Sequence, residues 1–353
     1  MAYTNIDDPS AHFQIATWAG NDTQDTAITF DGNSNLQPDL FWNKGRGVAF
    51  GHVWMDTSRG IGNTGKVLES NSTGAEYDIN DYFETADTNG FTIGRGSAGF
   101  NALNDTYITW CWKANGGTTS SNTDGATTST VQANTDAGFS IVTWTGTGSA
   151  TTLGHGLGDT PKMLIVKNRD TAVDWAVYHK ELTNPGYVLA INNTDAQVNS
   201  GFQRWNRTHP TSSVFSVGTG QQTNQNTNNM VAYCFAEKQG YSKFGKYKGN
   251  ENANGPFIYT GFKPALIIIK NASVVTHWAI IDTKRIGYND DNYRLYPNLN
   301  NIENTSDINL DILSNGFKIR TLDSDFNNGA SIIYAAFAEN PFVTSTGIPA
   351  TAR

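Results

Sequence analysis

Apolar and polar residues alternate along much of the chain with the two-residue period of a β-strand. In the segment 139–144, for example, Phe139, Ile141 and Thr143 fall on one side of an extended chain and the intervening residues fall on the other. Successive side chains of a strand point to opposite faces, so this pattern predicts a strand. The uninterrupted apolar runs 163–166 and 266–269 predict strands that are buried on both faces.

Turn-forming residues separate these short patterns throughout the chain. Clusters rich in Gly, Asn, Asp and Gln, such as 220–229 and 323–329, lie between successive apolar segments. Helical stretches rich in Ala, Leu, Glu and Lys are missing. The pattern therefore predicts an all-β fold of the antiparallel β-sandwich or jelly-roll type.

One series of landmarks occurs three times. Each series contains an aromatic residue two positions before a Gly, a Pro, a Lys six residues after the Pro, a Phe, and a final aromatic residue. The spacing from Lys to Phe is 47, 48 and 47 residues, and the spacing from Phe to the final aromatic residue is 21, 20 and 20 residues. The landmarks are Trp18, Pro38, Lys44, Phe91 and Trp112; Trp144, Pro161, Lys167, Phe215 and Phe235; and Tyr247, Pro264, Lys270, Phe317 and Phe337. Such regular spacing predicts an internal triplication.

The triplication predicts three tandem homologous β-sandwich domains, each long enough to have its own core. They are unit 1 (residues 13–115), unit 2 (residues 138–238) and unit 3 (residues 239–342). Residues 116–137 are rich in Thr, Ser, Gly and Asn and predict a flexible or extended linker. Units 2 and 3 follow each other closely and are expected to touch. The N-terminal arm (residues 1–12) and the C-terminal tail (residues 343–353) are candidates for docking to a partner.

Composition and charge exclude several classes of protein. The chain has 353 residues, of which 16% are charged, against about 25% in an average soluble protein. The net charge is −8 and no basic run occurs, so we expect no nucleic-acid surface. Apolar stretches such as 265–269 are far too short to span a membrane. The N-terminus has no basic start and no apolar segment, so no signal peptide is expected and synthesis should take place in a cytoplasm.

Most residues that could carry chemistry have a structural interpretation. Cys111 and Cys234 occupy the same position of their units, where a small buried residue fits, and no disulfide is expected. His155 lies in a Gly-rich turn, where its imidazole can bond to the backbone. We expect Lys44, Lys167 and Lys270 each to end a buried strand and to pair with a carboxylate such as Asp56 or Asp282. These carboxylates should also close a turn with the arginine three residues later, Arg59 or Arg285.

No catalytic or metal motif occurs in the sequence, so the protein is not expected to be an enzyme or to hold a cofactor. The acidic loop clusters Asp290-Asp291 and Asp323/Asp325 could at most bind an incidental Ca²⁺ ion.

Aromatic and polar loop residues are the stronger candidates for binding. Aromatic rings can cover the apolar faces of sugars, and amides can bond their hydroxyls. Trp205 has the least strand-like surroundings of the tryptophans, in a loop that also holds Arg204 and Arg207. Tyr288 and Tyr293 are further candidates in unit 3. These five residues form the predicted surface-binding set.

Several phrases resemble a family of virion proteins from tailed phages of aquatic bacteria, which are built from tandem β-sandwich units and often described as tail-fibre-like. The phrases span residues 6–13, 36–44, 154–169, 233–245 and 337–342. The resemblance implies a structural protein of the virion and supplies no catalytic residue. The low-complexity stalk of long fibres is missing. A compact tail or baseplate appendage, or a capsid decoration protein, is therefore the expected function.

Location and partners follow from this hypothesis. The protein should reside in the virion, contact other virion proteins, form a homo-oligomer such as a trimer, and meet host surface polysaccharide during attachment. Two alternatives remain open, a lectin-like receptor-binding protein and a glycan depolymerase.

Overall fold

The computed structural model describes residues 3–95, 99–285, 289, 292–307 and 309–350. This part of the chain is all-β and forms several antiparallel sheets, which confirms the predicted fold class at this level. Four short helical turns occur in it: Pro9–Ala11, Gly62–Thr64, Gln221–Asn224 and Ser324–Asn327.

The strands of the described residues fall into the three units. Unit 1 contains β1 (Phe13–Ala19), β2 (Thr26–Thr29), β3 (Leu40–Gly45), β4 (Val53–Asp56), β5 (Gly65–Glu69), β6 (Tyr77–Ile79), β7 (Phe83–Asp87), β8 (Gly90–Ile93) and β9 (Thr106–Trp112). Next come β10 (Ser120–Asn122), β11 (Ser129–Asn134), β12 (Phe139–Thr145), β13 (Thr151–Gly154), β14 (Pro161–Asn168), β15 (Ala176–His179), β16 (Tyr187–Val188), β17 (Val198–Asn199), β18 (Val214–Val217) and β19 (Asn229–Ala236). Unit 3 contains β20 (Ser242–Lys248), β21 (Phe257–Tyr259), β22 (Phe262–Asn271), β23 (Trp278–Asp282), β24 (Leu310–Leu313), β25 (Gly316–Ile319) and β26 (Ser331–Pro341).

Each unit contributes one large sheet with the same order of four strands. The orders are β1-β9-β3-β4, β12-β19-β14-β15 and β20-β26-β22-β23. Strands β5 and β6 extend the first sheet, and β10 and β11 extend the second. A smaller antiparallel sheet accompanies each large one: β2-β8-β7, β13-β18 and β21-β25-β24. The landmark lysines therefore all lie on the strand that pairs with the last strand of the unit.

The strands that carry these lysines separate two cores. In β14, Met163 and Ile165 face a core shared by all three units, whereas Leu164 and Val166 face a core within unit 2. The same alternation holds in β22, because Leu266 and Ile268 face the shared core and Ile267 and Ile269 face the core of unit 3. The predicted burial on both faces is confirmed.

The shared core brings equivalent aromatic residues of the three units together. The final landmarks Trp112, Phe235 and Phe337 form a triangle, with ring centroids separated by 6.0, 5.3 and 5.7 Å. Phe13 and Phe139 pack beside this triangle. The inner faces of the large sheets are apolar and cover one another, so the units close around one core instead of standing apart in series.

The expected linker between units 1 and 2 is instead part of the second large sheet. Strand β11 pairs with β12 along its whole length, with Val131 opposite Val142. Gln132 is fully buried, and its side-chain amide donates to Thr57 and Ser58 of unit 1. The prediction of a flexible segment over 116–137 was wrong. Composition alone indicated a loop, but the backbone groups of β10 and β11 are hydrogen-bonded in the sheet and the buried Gln132 amide bonds to unit 1.

The arm and the tail also pack on their own chain. Ile6 is buried in the shared core, and the Thr4 hydroxyl donates to the Gln239 carbonyl over 2.7 Å. In the tail, the Ser345 backbone N–H donates to the Asp7 carboxylate over 2.6 Å. The described parts of both segments therefore contact each other and unit 3, and their docking to a partner stays a prediction.

Candidate functional site

The three landmark lysines are buried and bind backbone carbonyls. Lys44, Lys167 and Lys270 are each 0% exposed, and burial lowers the pKa of each to about 8. The expected pairing of these lysines with Asp56 or Asp282 was wrong, because strand-end carbonyls surround each ammonium group. These carbonyls belong to Gly45 and Val48 around Lys44, to Thr73, Asn168, Thr171 and Val173 around Lys167, and to Thr194 and Thr276 around Lys270.

The carboxylates that were expected to pair with these lysines instead form buried ion pairs with arginines, as the turn prediction required. The Arg59 guanidinium lies 2.5 Å from Asp56 and 2.8 Å from Glu76. Unit 3 repeats this arrangement, because Arg285 lies 2.8 Å from both Asp282 and Glu303. Buried pairs need several hydrogen bonds to offset the loss of hydration, and both aspartates also accept backbone N–H bonds inside the turn.

The same contacts join neighbouring units in a cyclic order. Glu76 of unit 1 pairs with Arg169 of unit 2 over 2.7 Å, and Glu303 of unit 3 pairs with Arg46 of unit 1 over 2.9 Å. At the remaining seam the Gln197 backbone N–H donates to the Ala272 carbonyl over 2.9 Å. The backbone N–H groups of Glu76 and Glu303 make the equivalent bonds, to the carbonyls of Arg169 and Arg46. Equivalent residues thus close all three seams.

The remaining candidates that were interpreted as structural are structural. Cys111 and Cys234 are buried free thiols in the cores of units 1 and 2. The ring of buried His155 accepts a bond from the Leu157 backbone and contacts the Thr211 carbonyl, as expected for a turn residue. His179 replaces the aspartate of the other units and contacts the Tyr334 carbonyl of unit 3. Burial lowers the pKa of His179 to about 3, so its imidazole is neutral.

Trp205 is a core residue, contrary to its prediction as a surface-binding side chain. It is 1% exposed and packs against Tyr178, with ring centroids 5.9 Å apart. The residue before it, Arg204, accepts a backbone bond from Gly218, and Tyr82 and Asn309 accept the corresponding bonds in the other units. Trp205 is therefore equivalent to Phe83 and Leu310, which are both buried. Its position holds a large apolar residue in every unit.

Arg204 lines a cleft of about 240 Å³ on the outside of unit 2, which we call the Arg204 cleft. Its side chain is half-buried, and burial lowers the pKa of Arg204, which the nearby Asp174 partly opposes. Among the described residues the guanidinium makes one side-chain hydrogen bond, to the Gln203 amide oxygen at 3.4 Å, and no ion pair. The other lining residues are Asp174, Trp175, Ala176, Val188, Leu189, Ala190, Asn193, Asp195, Ala196, Val198, Asn199, Ser200, Gln203 and Gln222.

The equivalent place in unit 3 is filled by that unit's own side chains. The backbone pair between Val177 and Leu189 corresponds to the pair between Ile280 and Leu295. The residues that flank these two leucines are therefore equivalent. Val188 corresponds to Arg294, and Ala190 corresponds to Tyr296. Arg294 stacks on Tyr296 at 4.8 Å. It also pairs with Asp307, Asp323 and Asp325.

Unit 2 has small side chains where unit 3 has large ones, and this difference leaves the cleft open.

The same contacts correct one expectation, because Asp323 and Asp325 bind the Arg294 guanidinium instead of forming an open cation site. The acidic pair Asp290-Asp291 lies outside the described residues.

Arg207 and Tyr293 do not line the cleft. Arg207 is exposed and lies over the ring of exposed Phe202, 5.0 Å from its centroid. Tyr293 is half-buried in unit 3, and Tyr288 lies outside the described residues. Of the five predicted surface-binding residues, Arg204 lines a concave site. Arg207 and Tyr293 lie outside that site, and Trp205 is buried in the core of unit 2.

Sequence reasoning missed the cleft residues Asp174, Asn193, Asn199 and Gln222 because loop amides are common throughout this chain. The signal that could have found the cleft was in the repeat: if unit 3 is allowed a three-residue insertion after its lysine, the segment 187–190 aligns with 293–296, and Val188 and Ala190 stand opposite Arg294 and Tyr296. Small residues facing large ones at equivalent positions indicate a cavity in one copy.

One comparison with known proteins identifies a family. No curated protein and no solved structure shows significant similarity to the chain. None of its described helices is both long and apolar enough to cross a bilayer. A family model described as a domain of unknown function, DUF7483, matches residues 8–341, which include all three units nearly from end to end. The chain therefore belongs to the DUF7483 family.

Proposed function

We propose that this protein is a non-enzymatic structural component of a tailed-phage virion, displayed as a compact appendage or decoration protein that contacts host surface glycans. The observation that carries the proposal is how the ionisable groups are used. Two residues that drew attention in the sequence, Lys167 and Asp56, make buried contacts across the seam between units 1 and 2, and Arg59 pairs with Asp56 from within unit 1. A body fixed in this way suits a particle exposed to proteases and without disulfides.

The units themselves are part of the proposal. We interpret them as three homologous β-sandwich domains that arose by triplication, because each has the same four-strand order in its large sheet and a small sheet across an apolar core. A homo-oligomer such as a trimer remains a prediction, which the mass of the purified protein in solution tests.

The virion location is tested on purified particles of the phage that encodes the chain. Mass spectrometry of gradient-purified particles should detect the protein, and antibody to it should label the particle surface in negative-stain images. Absence of the protein from particles that contain their other structural proteins would contradict the proposal.

A second candidate, a carbohydrate-binding protein that acts apart from the particle, is favoured by the Arg204 cleft and predicts glycan binding without incorporation into particles. The depolymerase alternative predicts the release of reducing ends from isolated host polysaccharide. Unchanged polysaccharide after incubation with the pure protein would count against it.

A further inference from the structure

The Arg204 cleft has the chemistry of a site for one class of ligand. We propose that it binds a sugar that bears a carboxylate group, such as a uronic or sialic acid residue of a surface polysaccharide. This inference rests on the proposed glycan contact and is independent of where the protein resides.

The guanidinium provides the site for the carboxylate. Arg204 lies against the backbone of Gly220, where a Cβ atom would come within 2.2 Å of its Nη1 atom. This close contact holds the side chain along the cleft wall, while most of its N–H donors have no partner among the described residues. A planar guanidinium with free donors matches the two oxygens of a carboxylate, and partial burial strengthens such a bond.

Neutral hydroxyl groups suit the rest of the cleft. Gln222 offers a side-chain amide that can both donate and accept, and the Asn199 amide, whose oxygen already accepts from the Gly201 backbone, offers its NH₂ group as a donor. Asp174 accepts one bond from Asn192 at 2.7 Å and keeps further lone pairs for a hydroxyl donor. Asp174 and Asp195 place two negative charges beside the one positive charge of Arg204, so they would repel a doubly charged phosphate more strongly than a single carboxylate.

The shape of the cleft limits the size of the ligand. Its volume of about 240 Å³ is below the range of roughly 300–1,000 Å³ typical for drug-sized ligands, so it suits one sugar ring. Val188 and Val198 supply an apolar wall for a ring face, and Val198 is 55% exposed. The rest of a polysaccharide chain would lie outside the cleft.

The other units provide an internal control. The positions equivalent to Arg204 hold Tyr82 and Asn309, which are both buried and uncharged. In unit 3, Arg294 occupies the position of Val188 and already has carboxylate partners from its own unit. Unit 2 therefore combines a free guanidinium with open space, and that combination indicates an external anion.

The test is calorimetric titration of the full chain with sialyllactose and trigalacturonic acid, each compared with its neutral counterpart, lactose and galactotriose. We expect at least one acidic sugar to bind at least tenfold more tightly than its neutral counterpart. Arg204→Gln should abolish that difference, whereas Arg207→Gln, which changes an exposed neighbour outside the cleft, should preserve it. Ala190→Tyr copies the residue of unit 3 and should abolish binding while the thermal midpoint stays within a few degrees.

Each contrary result has its own meaning. Equal binding of acidic and neutral sugars would overturn the carboxylate preference and leave the glycan contact standing. Binding that survives both Arg204→Gln and Ala190→Tyr would place the site elsewhere and overturn this inference. If none of these sugars binds, the cleft inference fails, and the virion proposal is then decided by the particle experiment alone.

Discussion

Arg204 and Trp205 are adjacent residues with opposite environments. Trp205 points into the core of unit 2, whereas Arg204 lines an open cleft. Composition placed both in a polar loop, and nothing in the local pattern separated them. Comparison with the other units does separate them. Trp205 aligns with two buried apolar residues, whereas the residues that align with Arg204 carry no charge. A repeat thus distinguishes structural from functional positions where one sequence window cannot.

The core position of Trp205 leads to a stability prediction. Trp205→Ala should lower the free energy of unfolding by about 3–5 kcal/mol because it leaves a large cavity. Trp205→Phe should cost well under half of that, because Phe83 fills the same position of unit 1 and the indole N–H has no partner among the described residues. Urea unfolding of both variants gives the comparison. A loss of less than about 1 kcal/mol for Trp205→Ala would contradict its burial.

The buried lysines predict a pH dependence of stability. Their folded pKa is about 8, below the usual 10.5, so between these values the unfolded chain binds more protons and stability rises with pH. From pH 7.5 to 9.5 each lysine should add about 1–2 kcal/mol to the free energy of unfolding. The buried thiols oppose this trend, since burial raises the pKa of Cys111 and Cys234.

A variant isolates the lysine contribution. Lys167→Met should reduce the rise in urea midpoint between pH 7.5 and 9.5, whereas the same change at exposed Lys248 should not. An identical pH profile for Lys167→Met and the unchanged protein would show that this lysine is not desolvated.

At the scale of elements, the strands could be predicted from alternation and apolar runs, and the landmark spacing located their repeats. Strands β10 and β11 could not, because their residues are mainly Ser, Thr, Asn and Gln and are stabilised by pairing with a distant strand. The cleft is formed by loops from separate parts of unit 2, so no single segment of sequence contains it. The local sequence pattern predicts strands that have an apolar face of their own, and it misses strands that are stabilised mainly by hydrogen bonds to a neighbouring strand.

Hydrogen exchange tests the status of the expected linker. Amides of β11 that bond across the ladder should exchange slowly, on the timescale of the neighbouring β12, because both lie inside one sheet. The loop 250–254 serves as a control, since most of its residues are exposed. Fast exchange over 129–134, as in that loop, would restore the interpretation of a flexible linker.

At the scale of the whole molecule, the three units act as one body. The triangle of Trp112, Phe235 and Phe337 links the units at the centre, and ion pairs and backbone bonds link them at each seam. The occurrence of three similar large sheets could be predicted from the repeat. Their closure around a shared core could not, because landmark spacing within a unit does not determine which face of its sheet meets another unit.

Differential scanning calorimetry of the full chain tests this closure most directly. If the units share one core, heating should give a single transition whose calorimetric enthalpy equals its van't Hoff enthalpy. Phe337→Ala should shift that whole transition to lower temperature, because the removed ring contacts both other units. Two or three resolved transitions, with only one of them moved by Phe337→Ala, would contradict the account and show that the units unfold as independent domains.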